Sequence, residues 1–220
     1  MSRICVATAD SRAYYALVSR LRKAGIPFLS LSPGDSVGEC DLVLTTSAEA
    51  GQYGAVAVAL ENLDESGDVF RAQILSRLSK EGRTLLVGID PGSRIGMAAF
   101  LGETRLASQT FNSRSGACNG VVRLVEGVSA ERPVIRIGDG DPALAAWLAD
   151  NLAGRLQNAV VEIVDESGTS KNPNISGLRK DQGSAARIAF RRGEQFSGGA
   201  KVVRRHRREN ESRQGRSRPP

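Results

Sequence analysis

The sequence predicts an α/β protein with two sheets, and three observations predict it. Short β-branched apolar runs alternate with helical patterns from the first residues onward. A second series, beginning near Arg83, places three strands together before alternation resumes. No stretch approaches the ~18 consecutive apolar residues that a membrane span requires.

The first series covers residues 1–82. RICVATA reads as a strand, and Asp10 and Ser11 are helix-capping types before a pattern in which Tyr14, Leu17, Val18, Leu21 and Ala24 recur at helical spacing. Gly25 closes that helix, and Pro27 lies just beyond it. PFLSLSP, DLVLTTS and GAVAVAL are three further strands, and VFRAQILSRLSKEG is a helix expected to end at Gly82. Alternation of this kind predicts a small parallel-sheet domain. It carries neither G-x-G-x-x-G nor a P-loop, so it is read as a structural, dimerising or docking module without chemistry.

The second series covers residues 83–193. TLLVGID is a strand and PGSR a turn; IGMAAFLG and ETRLASQTF form a hairpin across Gly102–Glu103. A helix follows around Ala117–Val128, then the strand PVIRIGDG and the helix DPALAAWLADNLAGRL, with Pro142 in its first turn. The strand AVVEIVDES, the polar stretch GTSKNPNISGLRK and the helix DQGSAARIAFRRG complete the order β-β-β-α-β-α-β-α.

Charge and residue usage narrow the chemistry. The net charge of +6 is uneven: residues 178–220 hold 13 basic and 4 acidic side chains, against 17 and 20 in residues 1–177. The tail, residues 194–220, has few large apolar residues and no amphipathic stripe, so it is expected to be disordered when free and to meet phosphates rather than a membrane. The lone histidine, His206, lies in that tail, which excludes mechanisms built on a Ser-His-Asp or Cys-His arrangement. Cys5, Cys40 and Cys118 are odd in number and far apart, arguing against a disulfide scaffold and a zinc site. With no secretory apolar stretch at its start, the chain is expected to be intracellular and cytoplasmic.

What remains for catalysis is carboxylates. Asp90 ends its strand; Asp139 ends another, with Asp141 two residues on; Asp165 and Glu166 end a third. Asp181 opens the last helix on the face of Ala185 and Ile188, which turns it toward the sheet. Acids gathered at one sheet edge repel one another, and a hard divalent cation, Mg²⁺ or Mn²⁺, relieves that repulsion. Two such ions suit phosphodiester hydrolysis. The structural alternative is that Asp90 and Asp139 are turn residues and Asp181 a helix cap.

VGIDPGSRIGMAAF resembles the first strand and hairpin of the RuvC Holliday-junction resolvases, with Asp90 in the position of their first catalytic aspartate. VDESGTS resembles the D-E-R-x-T-[ST] segment of the YqgF family of pre-16S ribosomal RNA nucleases, and DQGSAARIA resembles the final helix of both families. The resemblance implies a ribonuclease H-like fold over residues 83–193 and a metal-dependent nuclease acting on structured DNA or RNA. Asp90 and Asp181 would be metal ligands and catalytic residues; the middle acid would be Asp139 by the resolvase pattern, with Asp141 in reserve, or Glu166 by the YqgF pattern. Two positions depart: Ser184 stands where resolvases carry a second helix aspartate, and Ser167 where the YqgF family has arginine. Ser93, Arg94, Lys171 and Lys180 are candidate phosphate contacts, joined by Arg204, Arg205, Arg207 and Arg208 of the tail. A junction resolvase would further be a two-fold dimer. At 5% aromatic content, backbone or shape recognition is favoured over base stacking.

Two other readings share these residues. Actin-like ATPases and sugar kinases carry a similar G-I-D-x-G-S turn, although residues 1–82 do not repeat it. A non-catalytic nucleic-acid-binding protein would keep the fold and use only the tail.

Overall fold

A computed structural model describes residues 3–32, 34–79, 84–128, 130, 132–166 and 180–196. Two sheets organise them. β1 (Ile4–Ala7), β2 (Leu29–Leu31), β3 (Leu42–Thr45) and β4 (Ala57–Ala59) form a four-stranded parallel sheet in the order β2-β1-β3-β4. Asp10 caps α1 (Ser11–Lys23), its Oδ1 accepting from the N–H groups of Arg12 and Ala13 at 2.8 and 3.1 Å. Gly25, at φ +66°, takes the left-handed turn that ends α1 without a steric penalty.

The second sheet is mixed and six-stranded, in the order β10-β9-β8-β5-β6-β7. Its strands are β5 (Leu85–Asp90), β6 (Ile95–Leu101), β7 (Thr104–Phe111), β8 (Val134–Gly138), β9 (Val160–Val164) and β10 (Glu194–Gln195). β5 runs antiparallel to β6 and parallel to β8, β8 parallel to β9, and β10 antiparallel to β9. With α3 (Arg114–Gly127), α4 (Pro142–Arg155) and α5 (Lys180–Phe190) interposed, residues 85–190 follow the expected β-β-β-α-β-α-β-α order.

The period of two along β5 divides the sheet's neighbours. Leu85, Val87 and Ile89 enter a large core with Met97, Leu106, Leu124, Ile135, Ile137 and Leu148. On the opposite face Leu86 packs with Ala98, Phe100, Ala185, Ala186 and Ala189 under α5. Asp90 continues that α5 face.

Three expectations are corrected. α2 (Gly67–Leu78) stops four residues short of Gly82, because Ser79 is already extended at ψ 128°. That helix also serves two cores: Phe70 and Ile74 pack in the first, Ala72 in the second. Cys5 and Cys40 form a disulfide, since the chain returns after a separation of 35 positions to bring Cys40 back beside β1; only Cys118 is a free thiol. The segment from residue 194 starts as a strand, Glu194–Gln195, and Phe196 packs against the large core, so order extends past the boundary set for the tail. Residues 197–220 lie outside the described residues.

On the α5 face, Arg136 of β8 reaches Glu162 of β9 at 2.9 Å and donates from Nη1 to the Ala189 carbonyl at 2.7 Å. Glu162 also accepts from the Gly193 N–H. The pair is mostly buried, at 12% and 18% exposure. Arg136→Met should therefore cost about 2 kcal/mol, less than the ~3–5 of a fully buried pair, by stranding Glu162 and freeing the end of α5. Adding Glu162→Met should recover much of that loss in thermal denaturation. A double variant no better than the single one would refute the pairing argument.

Candidate carboxylate centre

Four carboxylates, in two pairs, lie at the carboxyl ends of β5, β8 and β9 and at the start of α5. Asp90, the last residue of β5, is paired across the ladder with Gly96 of β6. Gly96 leaves room for α5: a Cβ there would stand 2.2 Å from the Asp181 carbonyl oxygen and 3.2 Å from its Cβ. The first turn of α5 thereby sets Asp181 against the end of β5. Arg94, in the turn between β5 and β6, places Nη2 3.2 Å from Asp181 Oδ2 as an ion pair. It is not aligned as a donor, so this buried oxygen accepts no hydrogen bond from the described residues.

Asp139 and Glu166 form the other half. Asp139 Oδ1 accepts from the Glu166 N–H at 2.9 Å, and Glu166 Oε1 accepts from the Gly140 N–H at 3.2 Å. Gly138 is needed for this approach, since a Cβ there would overlap Glu166 Oε1 and crowd Ile188 Cδ1 at 2.9 Å.

The halves sense each other. The Asp90 carboxyl is held above its usual range, first by burial and also by the Asp181 charge, against the lowering effect of a Ser184 hydrogen bond and of Arg187 and Lys180. Glu166 is likewise raised by burial and by the charges of Asp90 and Asp139, with the Gly140 hydrogen bond and Arg187 opposing. Ser184 in turn accepts from Arg187 Nη2 at 2.9 Å.

Asp90 and Asp181 suit a hard divalent cation: they offer hard oxygens, they repel each other, and a buried Asp181 oxygen accepts no hydrogen bond from the described residues. Mg²⁺ commonly takes one or two carboxylates and completes its shell with water and substrate phosphate. Among the described residues, no three His, Cys, Asp or Glu side chains stand close enough together to hold an ion.

Of the other predicted residues, Ser93 is exposed in the turn after β5, and Lys180 opens α5. Asp141 caps α4, accepting from the Leu144 N–H at 3.0 Å, which is the cap role. Lys171, Ser167, Arg204, Arg205, Arg207 and Arg208 lie outside the described residues. Arg187 was not foreseen, although an arginine amid the small residues of GSAARIA was a readable signal.

The first sheet holds a second polar arrangement, also unforeseen. At the ends of β1 and β3, Glu49 accepts from the hydroxyls of Thr8, Thr45 and Thr46 and from the Ala9 N–H. These bonds, that of Thr8 foremost, lower its carboxyl to about 2 from 4.5. A lowered value contributes stability above about 4.5 that is lost as pH falls toward about 2. Glu49→Gln should thus cost about 1 kcal/mol at neutral pH, discounted for solvent screening, with the difference from wild type shrinking on acidification. A pH-independent difference in urea midpoints would refute this.

The family comparison reaches only the first sheet. A family model described as a response regulator receiver-like domain matches residues 3–68, under a third of the chain, so the parallel-sheet unit is similar to such domains. No curated protein matches the chain in sequence. Among solved structures, the chain is similar to Marinitoga piezophila Argonaute in complex with 5′ OH guide RNA and target DNA, at 9% identity. That likeness covers 74% of this chain and 39% of that one, with a TM-score of 0.28, too low to carry an argument. Among the described residues, no helix is long and apolar enough to cross a membrane.

Proposed function

We propose that residues 83–193 are a ribonuclease H-like nuclease domain that hydrolyses phosphodiester bonds in structured nucleic acid with the help of Mg²⁺ or Mn²⁺. The observation that carries this reading is that Asp90, Asp139, Glu166 and Asp181 stand at the ends of three neighbouring strands and at the start of the helix packed on them. The strand order of the mixed sheet, with β5 central and the hairpin partners β6 and β7 on one side, supports the fold.

Asp90 and Asp181 would hold the cation, which when bound supplies charge neutralisation at the scissile phosphate and acidifies a water. Glu166, raised toward neutrality and fixed by the Gly140 N–H, is suited to accept that water's proton. Asp139 orients Glu166 by accepting from its N–H. Arg94 and Lys180 stand at the rim, where a phosphate backbone would pass. The basic C-terminal segment adds affinity without sequence preference, and that affinity falls with salt. The receiver-like unit serves as a docking module in this reading, and a two-fold dimer is the assembly that symmetric cutting would call for.

The test is cleavage of labelled four-way junction, duplex, single-stranded DNA and structured RNA by the full chain in Mg²⁺, Mn²⁺ or EDTA. Cutting that requires metal and prefers one substrate supports the reading and names the substrate. Binding without cutting in either metal overturns it and leaves a nucleic-acid-binding protein.

A further inference from the structure

The two faces of the parallel sheet are covered differently. On one face, Leu17 and Leu21 of α1 and Phe70 and Ile74 of α2 share a core with Ile4 and Val6 of β1. Residues of β1 alternate between faces, so Cys5 and Ala7 point the other way, where Val43 joins them. A parallel sheet ordinarily carries helices on both faces. Here the described residues between β2 and β3 form no helix, and Val37 and Cys40 of that connection pack on the second face instead. Cys40 is bonded to Cys5, with Cα atoms 6.0 Å apart.

Little else attaches the segment. Its hydrogen bonds among the described residues are mostly local: the Cys40 N–H donates to the Val37 carbonyl at 2.9 Å, and Asp35 Oδ2 accepts from the Ser32 N–H at 2.8 Å. Asp41 is anchored at the head of β3, accepting from the Arg3 N–H at 2.7 Å. Before it, the tie to the body besides the disulfide and Val37 is the ion pair of Glu39 with Arg3. Both of those side chains are largely exposed, at 82% and 51%, so the pair contributes little.

We infer that the Cys5–Cys40 disulfide is a reversible redox clasp: opening it releases residues 34–40 and uncovers the apolar second face of β1 and β3, while the helix-covered face keeps the unit folded. The inference concerns the receiver-like unit and stands apart from any chemistry of the mixed sheet. Cys40 is the sulfur within reach, half-buried in an otherwise exposed segment, whereas Cys5 is 0% exposed. A thiolate of a dithiol reductant attacks Cys40 Sγ, and the S–S bond breaks with its electron pair leaving on Cys5, which takes up a proton. The second thiol then displaces Cys40, so the reductant gives up two electrons and two protons and ends as its own disulfide. Closing also begins at Cys40. Its thiolate attacks a small disulfide such as glutathione disulfide and releases one thiol; Cys5 then attacks the mixed disulfide at Cys40 Sγ and releases the second, its proton passing to solvent.

The test is limited digestion of the full chain with a protease that cuts after glutamate, read at Glu39 by mass spectrometry, with far-ultraviolet circular dichroism alongside. Protein treated with glutathione disulfide should resist cutting at Glu39. Dithiothreitol should raise that rate about tenfold, because cleavage follows the population of the open form, while the helical signal stays. Under native conditions the reduced chain should be alkylated by iodoacetamide first at Cys40, and renewed glutathione disulfide should restore protection. Cys40→Ser should be cut like the reduced chain whatever the redox buffer, and Cys118→Ser should respond as wild type does. An unchanged rate at Glu39 on reduction overturns the inference. So does loss of the helical signal, which would make the bond a staple for the whole unit, and so does a chain whose Cys5 and Cys40 stay free in glutathione disulfide. Wild type in the two buffers decides the question even if Cys40→Ser fails to fold.

Discussion

Asp90→Asn should reduce metal-dependent cleavage by about 10²–10³-fold, the loss expected when one preorganised electrostatic group is removed, while leaving the metal-free protein at least as stable as wild type. The opposite signs follow from the same surroundings. Burial and the Asp181 charge hold the Asp90 carboxyl above its usual range, so its ionised form is disfavoured in the fold without a cation. Asparagine has nearly the same shape and carries no charge, so it escapes that cost. A carboxyl raised in the fold contributes stability below its unfolded value that is lost as pH rises through the folded one. Metal-free wild type should therefore lose this contribution on going from acid to neutral pH, and Asp90→Asn should not. Cleavage assays and metal-free melts of both proteins across that range check the two halves together. A variant that is less active and also less stable at neutral pH would make Asp90 a structural residue, and the catalytic assignment would fail.

The elements that were legible in the sequence are those fixed locally. Asp10 is a cap because a short carboxylate before an apolar helical stripe meets orphan N–H groups. The hairpin at Gly102–Glu103 is marked by the glycine, which adopts φ +57°. Asp181 was legible as sheet-facing because i, i+4 and i+7 share a helix face. What was not legible depends on distant partners. β10 is two residues long and exists only as an addition to the edge of β9, so it has no pattern of its own. The partner of Cys5 is decided by where the chain returns after β2, not by spacing. Glu49 gains its four donors only once β1 and β3 lie side by side. α2 buries Val69, Phe70, Ala72, Gln73 and Ile74, so two opposed apolar faces blur any single stripe. The site lies between these cases. Its carboxylates were readable at strand ends, whereas Arg187 and the glycines beneath α5 acquire meaning only when the helix is laid on the sheet.

Those glycines give the other large effect. Gly88→Ala should cost about 3 kcal/mol or more, at or beyond the upper end of overpacking penalties. The added Cβ would stand 1.9 Å from the Ala185 carbonyl oxygen, 2.5 Å from the Ala189 N and 2.9 Å from the Ala189 Cβ. Two of these neighbours are backbone, which no change of rotamer can move aside, so α5 as a whole must lift from β5. Lifting α5 would carry Asp181, Ser184 and Arg187 away from Asp90 together. The variant should consequently lose Mn²⁺-dependent stabilisation along with melting temperature, although Gly88 touches none of the acids. Gly154 in α4 is the internal control, since a Cβ there meets nothing within 4 Å. Gly154→Ala should leave the protein unchanged or slightly more stable, because alanine restricts the unfolded chain more than glycine does. Equal effects of the two substitutions would mean that the close approach of α5 to β5 does not hold the centre together.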